Sequence, residues 1–165
     1  TPPPDELILA TMSSVAKTMV FCLVQLVWGF PQTLAGFIMF TLVPGDKSER
    51  FRCAFVTKWS SPRGLSLGPF IFVPDYERAA APFARAPLAL RAERLRVHEY
   101  GHCIQSLIFG PLYLPFFAIP SMIWAGLPAL ARLRSSRALP YHRFYTESFA
   151  NWLGERVTGK EALRG

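Results

Sequence analysis

RLRVHEYGHCIQSLIFGPLYLPFFAIP, Arg94–Pro120, is the stretch that decides the fold. Its first half sets His98 and His102 four residues apart, which puts both imidazoles on one helix face with Cβ atoms about 6 Å apart. Upstream, Pro87 suits a first-turn position, and Leu88, Leu95, His102 and Phe109 recur every seven residues. The pattern predicts one helix through Leu88–Phe109 with both histidines facing inward. Arg91, Arg94 and Arg96 lie off that stripe, toward solvent or headgroups. The second half belongs to a run from Cys103 to Ala131 that carries no formal charge.

Two imidazoles at this spacing offer the bite needed for two nitrogens on one Zn²⁺ at about 2.0–2.1 Å. The intervening Glu99 completes His-Glu-x-x-His, a pattern in which the glutamate serves as base and not as ligand. The metal lowers the pKa of a water and the carboxylate takes its proton for attack on a carbonyl. The alternative is a pair of surface histidines near a headgroup layer. Gly101 leaves the helix surface open beside His102, where a strand or ligand can approach. Cys103 points about 100° away from the histidine face and reads as a small buried hydrophobe. A catalytic zinc needs a third protein ligand and an open position. Two candidates follow in YHRFYTESFANWLGERVTG: His142, the last remaining histidine, and Glu147. That stretch reads as a helix over 141–158, with Glu147, Asn151 and Gly154 on one face and Tyr145, Phe149 and Trp152 on another. Tyr100, Tyr141 and Tyr145 are candidate donors to a developing oxyanion.

The surroundings are apolar. Hydrophobic residues make up 51% of the 165, yet the mean hydropathy of +0.23 is too low for a bundle built only of membrane helices. Thr18–Val43 holds 26 residues without a charge, where about 20 suffice to cross a bilayer. It is too long for a signal peptide. Segment 18–43 is therefore expected to be a transmembrane helix kinked near Gly29–Pro31, or else a tight hairpin starting at Leu7. The Cys103–Ala131 run contains Pro111, Pro115, Pro120 and Pro128. It is expected to form two shorter helices, with 111–133 entering and returning, not one straight span. Two buried helices of a soluble protein are the competing reading of both runs.

Net charge is +7 and the pI about 9.8, but no recognition motif accompanies it and nucleic acid is not expected as a partner. Of the 18 Lys and Arg residues, ten lie between the apolar runs, seven after them and only Lys17 before. Positive-inside bias then places the metal helix and tail in the cytoplasm and the N-terminus outside. Cys22, Cys53 and Cys103 are an odd, scattered set that suits reduced thiols. Between the runs, segment 44–85 carries two short β-branched and aromatic stretches separated by SSPRG. These predict a two-stranded hairpin, Phe51–Trp59 against Leu65–Val73, interrupted at Gly68–Pro69 in a manner suited to an edge.

Glu-x-x-Ala-Asn-x-x-Gly at 147–154 resembles the second motif of the gluzincin metallopeptidases. The resemblance implies that Glu147 completes a His98–His102–Glu147 zinc site. It departs where Asn151 stands, since gluzincins often carry there an aspartate that orients a ligand histidine. An amide can accept that hydrogen bond without supplying the charge. More broadly, VWGFPQTLAGF, SLGPFIFV, HEYGHCIQSLIFGPLYLPFFAIPS and YHRFYTESFANWLG resemble a family of small bacterial integral-membrane zincins. In zincins an edge strand beside the metal helix pairs with an extended peptide, which makes Ser66, Leu67 and Gly68 candidate substrate-binding residues.

Ligand set and topology are linked. A single crossing by the second run would carry Glu147 about 30 Å from His98, so a site using Glu147 requires that run to return. The expected fold is a mainly α membrane protein with a small β-hairpin around a membrane-embedded zincin-like core. It forms one domain over 1–165, with segment 86–110 as metal helix. The expected function is a membrane-bound zinc metallopeptidase at the cytoplasmic face of the bacterial inner membrane, acting on a peptide or protein and in contact with lipid. An oligomer is left open. The alternative is a non-enzymatic zinc-binding membrane scaffold or assembly subunit.

Overall fold

A computed structural model describes residues 4–76 and 85–164. Helix α1, Pro4–Val27, is followed by α2, Phe30–Leu42. Strands β1 (Asp46–Phe51), β2 (Ala54–Trp59), β3 (Leu65–Leu67) and β4 (Phe70–Pro74) come next. The long helix α3, Arg85–Phe109, carries both histidines. A 3₁₀ turn (Gly110–Leu112) and a π-helical turn (Leu114–Ala118) lead to α4, Ile119–Gly126, and α5, Pro128–Ser136. A 3₁₀ turn over Tyr141–Arg143 then precedes α6, Tyr145–Thr158. The last part of the expected 44–85 segment, residues 77–84 with Arg78, lies outside the described residues.

The expected membrane-embedded core with a spanning helix over 18–43 does not hold. Among the described residues no single helix is long and apolar enough to cross a membrane. The run divides into Ser14–Val27 and Phe30–Leu42, bent by 110°. Each apolar piece covers only about 20 Å at 1.5 Å per residue, short of a hydrocarbon core of about 30 Å. Gly29 makes the corner, and Pro31 falls in the first turn of α2, where its missing N–H costs nothing. Thr33 Oγ1 caps the freed Gln25 carbonyl at 2.7 Å. Gln25 and Gln32, in the middle of the uncharged run, are fully buried and tie the corner to α3. Gln25 Nε2 donates to the Cys103 carbonyl at 2.8 Å, and Gln32 Nε2 to Ser106 Oγ and the Gly110 carbonyl at 3.1 and 2.7 Å.

The small hairpin is also corrected. The sheet has four strands in the order β1-β2-β4-β3. The two stretches expected to pair antiparallel run parallel, Phe55–Trp59 beside Phe70–Pro74. An unrecognised turn at Arg52 and a full chain reversal at the expected Gly68–Pro69 interruption cause the difference. The Arg52 turn, at φ 54°, folds the charged segment Asp46–Phe51 back on β2 as the true antiparallel partner. Gly68, at φ 58°, splits the second stretch into the short hairpin β3–β4. The chain therefore enters β4 in the same direction as β2, and β3 takes the edge.

Ile71, Val73, Val56 and Ala54 on the sheet meet Leu95, Tyr100 and Cys103 of α3 and Phe21 of α1 in one apolar core. Cys103 is a buried hydrophobe, as read from sequence. The second apolar run turns back on itself in short steps. Each proline opens a new piece, with Pro111, Pro115, Pro120 and Pro128 at the first positions of successive helical segments. The α4–α5 break bends by 72°. Phe117 packs on Phe109 of α3 and Phe149 of α6, with ring centroids 4.4 and 6.1 Å apart, and so holds the return against both helices.

Helices α3 and α6 approach at backbone contact. A Cβ on Gly101 would sit 1.9 Å from the Ala150 carbonyl oxygen, and one on Gly154 would sit 2.2 Å from that of Val97. Gly101 thus admits a helix where a strand or ligand had been expected. Alanine at either position should cost about 1–3 kcal/mol or more, since the neighbour that must yield is backbone. We expect Gly101→Ala and Gly154→Ala to lower the melting temperature and reduce bound metal together. Gly126→Ala, with nothing within 4 Å of the added Cβ, should do neither. Equal melting temperatures for all three would contradict the close-contact account.

Candidate metal centre

The α3–α6 contact brings three buried donors together. Ligand atoms of His98, His102 and Glu147 lie within 4.8 Å of one another, and the group could hold a metal ion. Glu147 Oε2 is 3.2 Å from His98 Nε2 and 3.8 Å from His102 Nε2. The imidazole planes are 85° apart. Donors each about 2 Å from a shared ion lie at most about 4 Å apart, a limit that both Glu147 Oε2 separations already meet. His142 is outside the group and lines a neighbouring cavity.

The hydrogen-bond network shows why the donors suit a cation. Asn151 Oδ1 lies 2.6 Å from His98 Nδ1, and Gln105 Oε1 lies 2.7 Å from His102 Nδ1. Each amide is oriented by a bond on its nitrogen side. Asn151 Nδ2 donates to the Leu163 carbonyl at 3.4 Å, and Gln105 Nε2 to the Thr146 carbonyl at 2.9 Å. Both Nδ1 atoms must then carry protons, leaving the neutral rings with Nε2 lone pairs aimed at Glu147. Two lone pairs and a buried carboxylate facing one another are stabilised by a positive charge between them, which a metal ion or a proton can supply. The other carboxylate oxygen, Oε1, accepts from Thr146 Oγ1 at 3.1 Å and from Ser121 Oγ. One oxygen of Glu147 is thereby tied down and the other left for the ion.

Asn151 holds the His98 ring through its amide oxygen. Gln105 and Ser121 were not singled out from sequence. Gln105 follows His102 by three residues on the same face, and that spacing was the available signal. Ser121 reaches Glu147 only because the proline-rich run turns back.

Glu99 lies beside the three donors and is buried. Ser66 Oγ contacts its carboxylate and lies 2.9 Å from its backbone carbonyl. Gly64 abuts the other carboxylate oxygen, since a Cβ there would meet Oε1 at 2.0 Å. Glu99 and the donor triad open on a cavity of about 340 Å³, with Ser66, Tyr113, Met122 and Tyr141 in its wall. Of the substrate-strand candidates only Ser66 faces it. Leu67 and Gly68 pack on α2, the Leu67 carbonyl against Gly36 and Gly68 against Thr33.

Of the tyrosines, Tyr100 is buried in the apolar core between Phe21 and Phe51. Tyr145 donates to the Phe116 carbonyl, away from the cavity. Tyr141 remains, and Tyr113, unrecognised in the sequence, joins it with its hydroxyl 3.3 Å from the Ser66 carbonyl. Burial, reinforced by nearby negative charge, pushes both phenols up, so they are O–H donors at neutral pH. Comparison of the chain with protein-family models, curated proteins and solved structures finds no match.

Without a metal, the same geometry traps a proton. Burial opposes charge on His98, but the Glu147 hydrogen bond and the Glu99 and Glu147 charges outweigh it and raise the pKa from 6.5 to about 9. Burial also pushes Glu147 up, yet hydrogen bonds from His102 and His98 hold it well below the usual carboxylate range. The His98 proton stabilises the metal-free fold fully below pH 6.5, and that stabilisation is lost as pH rises through about 9. The Glu147 contribution has the opposite sense, being present above 4.5 and lost only as pH falls toward its depressed value. A metal must displace the His98 proton, so apparent zinc affinity should rise about tenfold per pH unit between 6.5 and 9. Competition with a chromophoric chelator measures this, and a flat profile would contradict the proton–metal exchange. Asn151→Ala should weaken zinc binding by about 10- to 100-fold, the range for loss of a residue that orients a ligand.

Proposed function

We propose that this chain is a zinc-dependent metallohydrolase that cleaves peptide bonds. The observation that carries the reading is Glu99, a carboxylate that is no ligand, beside a His₂Glu donor set and open to a cavity. A structural zinc site is closed by four protein ligands, whereas the described residues bring only three together here. The nitrogen and oxygen donors and buried setting favour zinc, and two neutral imidazoles with one carboxylate would leave a net charge of about +1. Zinc supplies Lewis acidity there, polarising a carbonyl and bringing a water's pKa toward 7.

The remaining chemistry belongs to the protein. His98, His102 and Glu147 hold the ion, with Asn151 and Gln105 fixing the two rings. Glu99 accepts a proton from the attacking water at its carboxylate and returns it to the leaving amine. Ser66 donates to that carboxylate and holds its direction. Tyr141 or Tyr113 donates to the oxygen that gains charge. The cavity of about 340 Å³ suits a few atoms either side of an amide, within the range of about 300–1,000 Å³ for small-ligand sites.

A non-enzymatic zinc-binding scaffold is the second reading. The apolar exposure of α1 and α2 favours it, with Met19, Leu23, Val27 and Leu42 each more than 60% exposed. The same surface supports contact with a lipid bilayer through the α1–α2 corner. That contact would suit a membrane-associated protein with its basic segments on the cytoplasmic side.

Purified zinc-loaded protein should cleave members of a broad peptide library. Glu99→Gln should retain zinc and lose about 10²–10⁴-fold in rate, the usual worth of a positioned general base. Gly64→Ala should lower rate with zinc content and melting temperature little changed, because the added methyl displaces only the end of the Glu99 side chain. Cleavage that survives Glu99→Gln would refute the mechanism. Absence of cleavage, with an unchanged cellular phenotype for Glu99→Gln, would favour the scaffold. Co-sedimentation with phospholipid vesicles, reduced by Leu23→Glu and Val27→Glu, checks the lipid contact.

A further inference from the structure

Past Glu99 the cleft continues into a second cavity of about 380 Å³. Arg63, Gly64, His98, Glu99, Ala125 and Tyr141 line both cavities, so the two form one groove with Glu99 at the junction. Their chemistry differs. The first wall, from Tyr113 to Met122, is largely apolar, while the second adds Arg91, Arg134 and His142. Arg63, Arg91 and Arg134 therefore all line a cavity whose only carboxylate among the described lining residues is Glu99.

Some of this chain's cations are paired with acids, while surface arginines such as Arg132, Arg137, Arg143 and Arg156 have no described acid partner. Arg94 binds Glu161, Arg96 binds Glu49, Lys160 binds Glu93 and Arg164 binds Glu155. No described acid pairs with Arg63, Arg91 or Arg134. Arg134 is also held in place. Its guanidinium carbon stacks 4.8 Å from the Trp124 ring and 5.6 Å from the Tyr141 ring, and Nη1 donates to the Trp124 carbonyl. The fork is half-buried and oriented before any ligand arrives, which lowers the cost of binding a planar anion. Like charges brought into one groove repel unless an anion joins them.

We infer that the second cavity is a carboxylate subsite, so that the preferred substrate is a peptide with an acidic side chain or its C-terminal carboxylate near the bond held at Glu99. A carboxylate matches the guanidinium fork through paired N–H···O bonds. Because the groove is continuous, the anion belongs to the same molecule whose bond reaches the metal centre. The placement of that bond rests on the peptidase reading; the anion site itself does not.

The test is binding to zinc-loaded Glu99→Gln protein, followed by fluorescence anisotropy. The probes are a labelled hexapeptide with two central glutamates and a free C-terminus, its glutamine counterpart, and each with an amidated C-terminus. The free-acid glutamate peptide should bind at least about tenfold tighter than the neutral one, and less so at high salt. The probe whose neutralisation removes the gain identifies side chain or terminus as the source. Arg91→Gln, at an exposed position with no packing role, and Arg134→Gln should each reduce the preference, with zinc content and melting temperature as folding controls. Equal affinity for all four probes, or no binding of any, overturns the subsite. If the arginine variants instead weaken only sedimentation with phosphatidylglycerol vesicles, the cations serve lipid headgroups and the inference fails. Charge-selective binding with no library peptide cleaved would leave the subsite standing and remove the peptidase reading. Cleavage without charge preference would do the reverse.

Discussion

The approach of α3 to α6 at Gly101 and Gly154 is the constraint on which the rest depends. Two helices normally pack about 8–10 Å apart, separated by side chains. Here the missing Cβ atoms let the Ala150 and Val97 carbonyls touch the opposing helix. Only at that distance can a short glutamate on α6 bring Oε2 to 3.2 Å from an imidazole on α3. A bulkier residue at either glycine would move Glu147 outward by more than the tolerance of a bond of about 2 Å. The glycines are therefore as much part of the site as its ligands, though neither touches the ion position.

Orientation is settled by a second layer that runs outward from the rings. Each imidazole is held by an amide oxygen, and each amide is held by a backbone carbonyl, Leu163 for Asn151 and Thr146 for Gln105. The Leu163 end is itself fixed, because its N–H donates to the Arg94 carbonyl at 3.0 Å. The chain after Gly159, where φ of 71° ends α6, thus straps across both helices. Ion pairs from Lys160 to Glu93 and Glu161 to Arg94 fasten the strap, although such exposed pairs contribute little stability individually. The amides satisfy buried ring N–H groups without adding charge. A carboxylate at Asn151 would bind the His98 proton more strongly, so the amide leaves the Nε2 end less basic and the ion less neutralised.

Much of the site was legible because helix spacing is rigid. A spacing of four from His98 to His102, and from Glu147 to Asn151, dictates shared faces whatever the tertiary fold. The metal helix and the α6 face with Glu147 and Asn151 follow from that regularity, while an orienting role at Asn151 came only from the gluzincin resemblance. The pairing of the sheet was not legible, because the Arg52 turn lacks a strong signal and the Gly68–Pro69 break reads as an interruption and not as a reversal. Arg52 adopts positive φ without being Gly or Asn, and DKSERF reads as a polar loop. The first apolar run misled for a related reason. Length and absence of charge match a spanning helix, but a count of charges does not register Gln25 and Gln32, whose amides are buried and need partners. Two amides fully buried against α3 are hard to reconcile with a helix facing lipid all round, and each lies near the Gly29 corner.

The return of the second apolar run connects these observations. A chain that continued straight from α3 would carry Glu147 away from the histidines. Gly110, at φ 53°, ends α3, and its missing Cβ admits the Trp28 ring from the α1–α2 corner. The first run thus marks the point where the second must turn. Each later proline starts a fresh helical segment at a position where no N–H is needed, so the path bends repeatedly without leaving buried donors unpaired. The returning segment delivers Ser121 to Glu147 Oε1, and the break after Gly126 folds Arg134 over Trp124. One turning segment therefore orients the third ligand and places the cation of the neighbouring cavity. The metal centre and the basic end of the groove are consequences of the same reversal, which the composition of the run, four prolines among apolar residues, had made unavoidable.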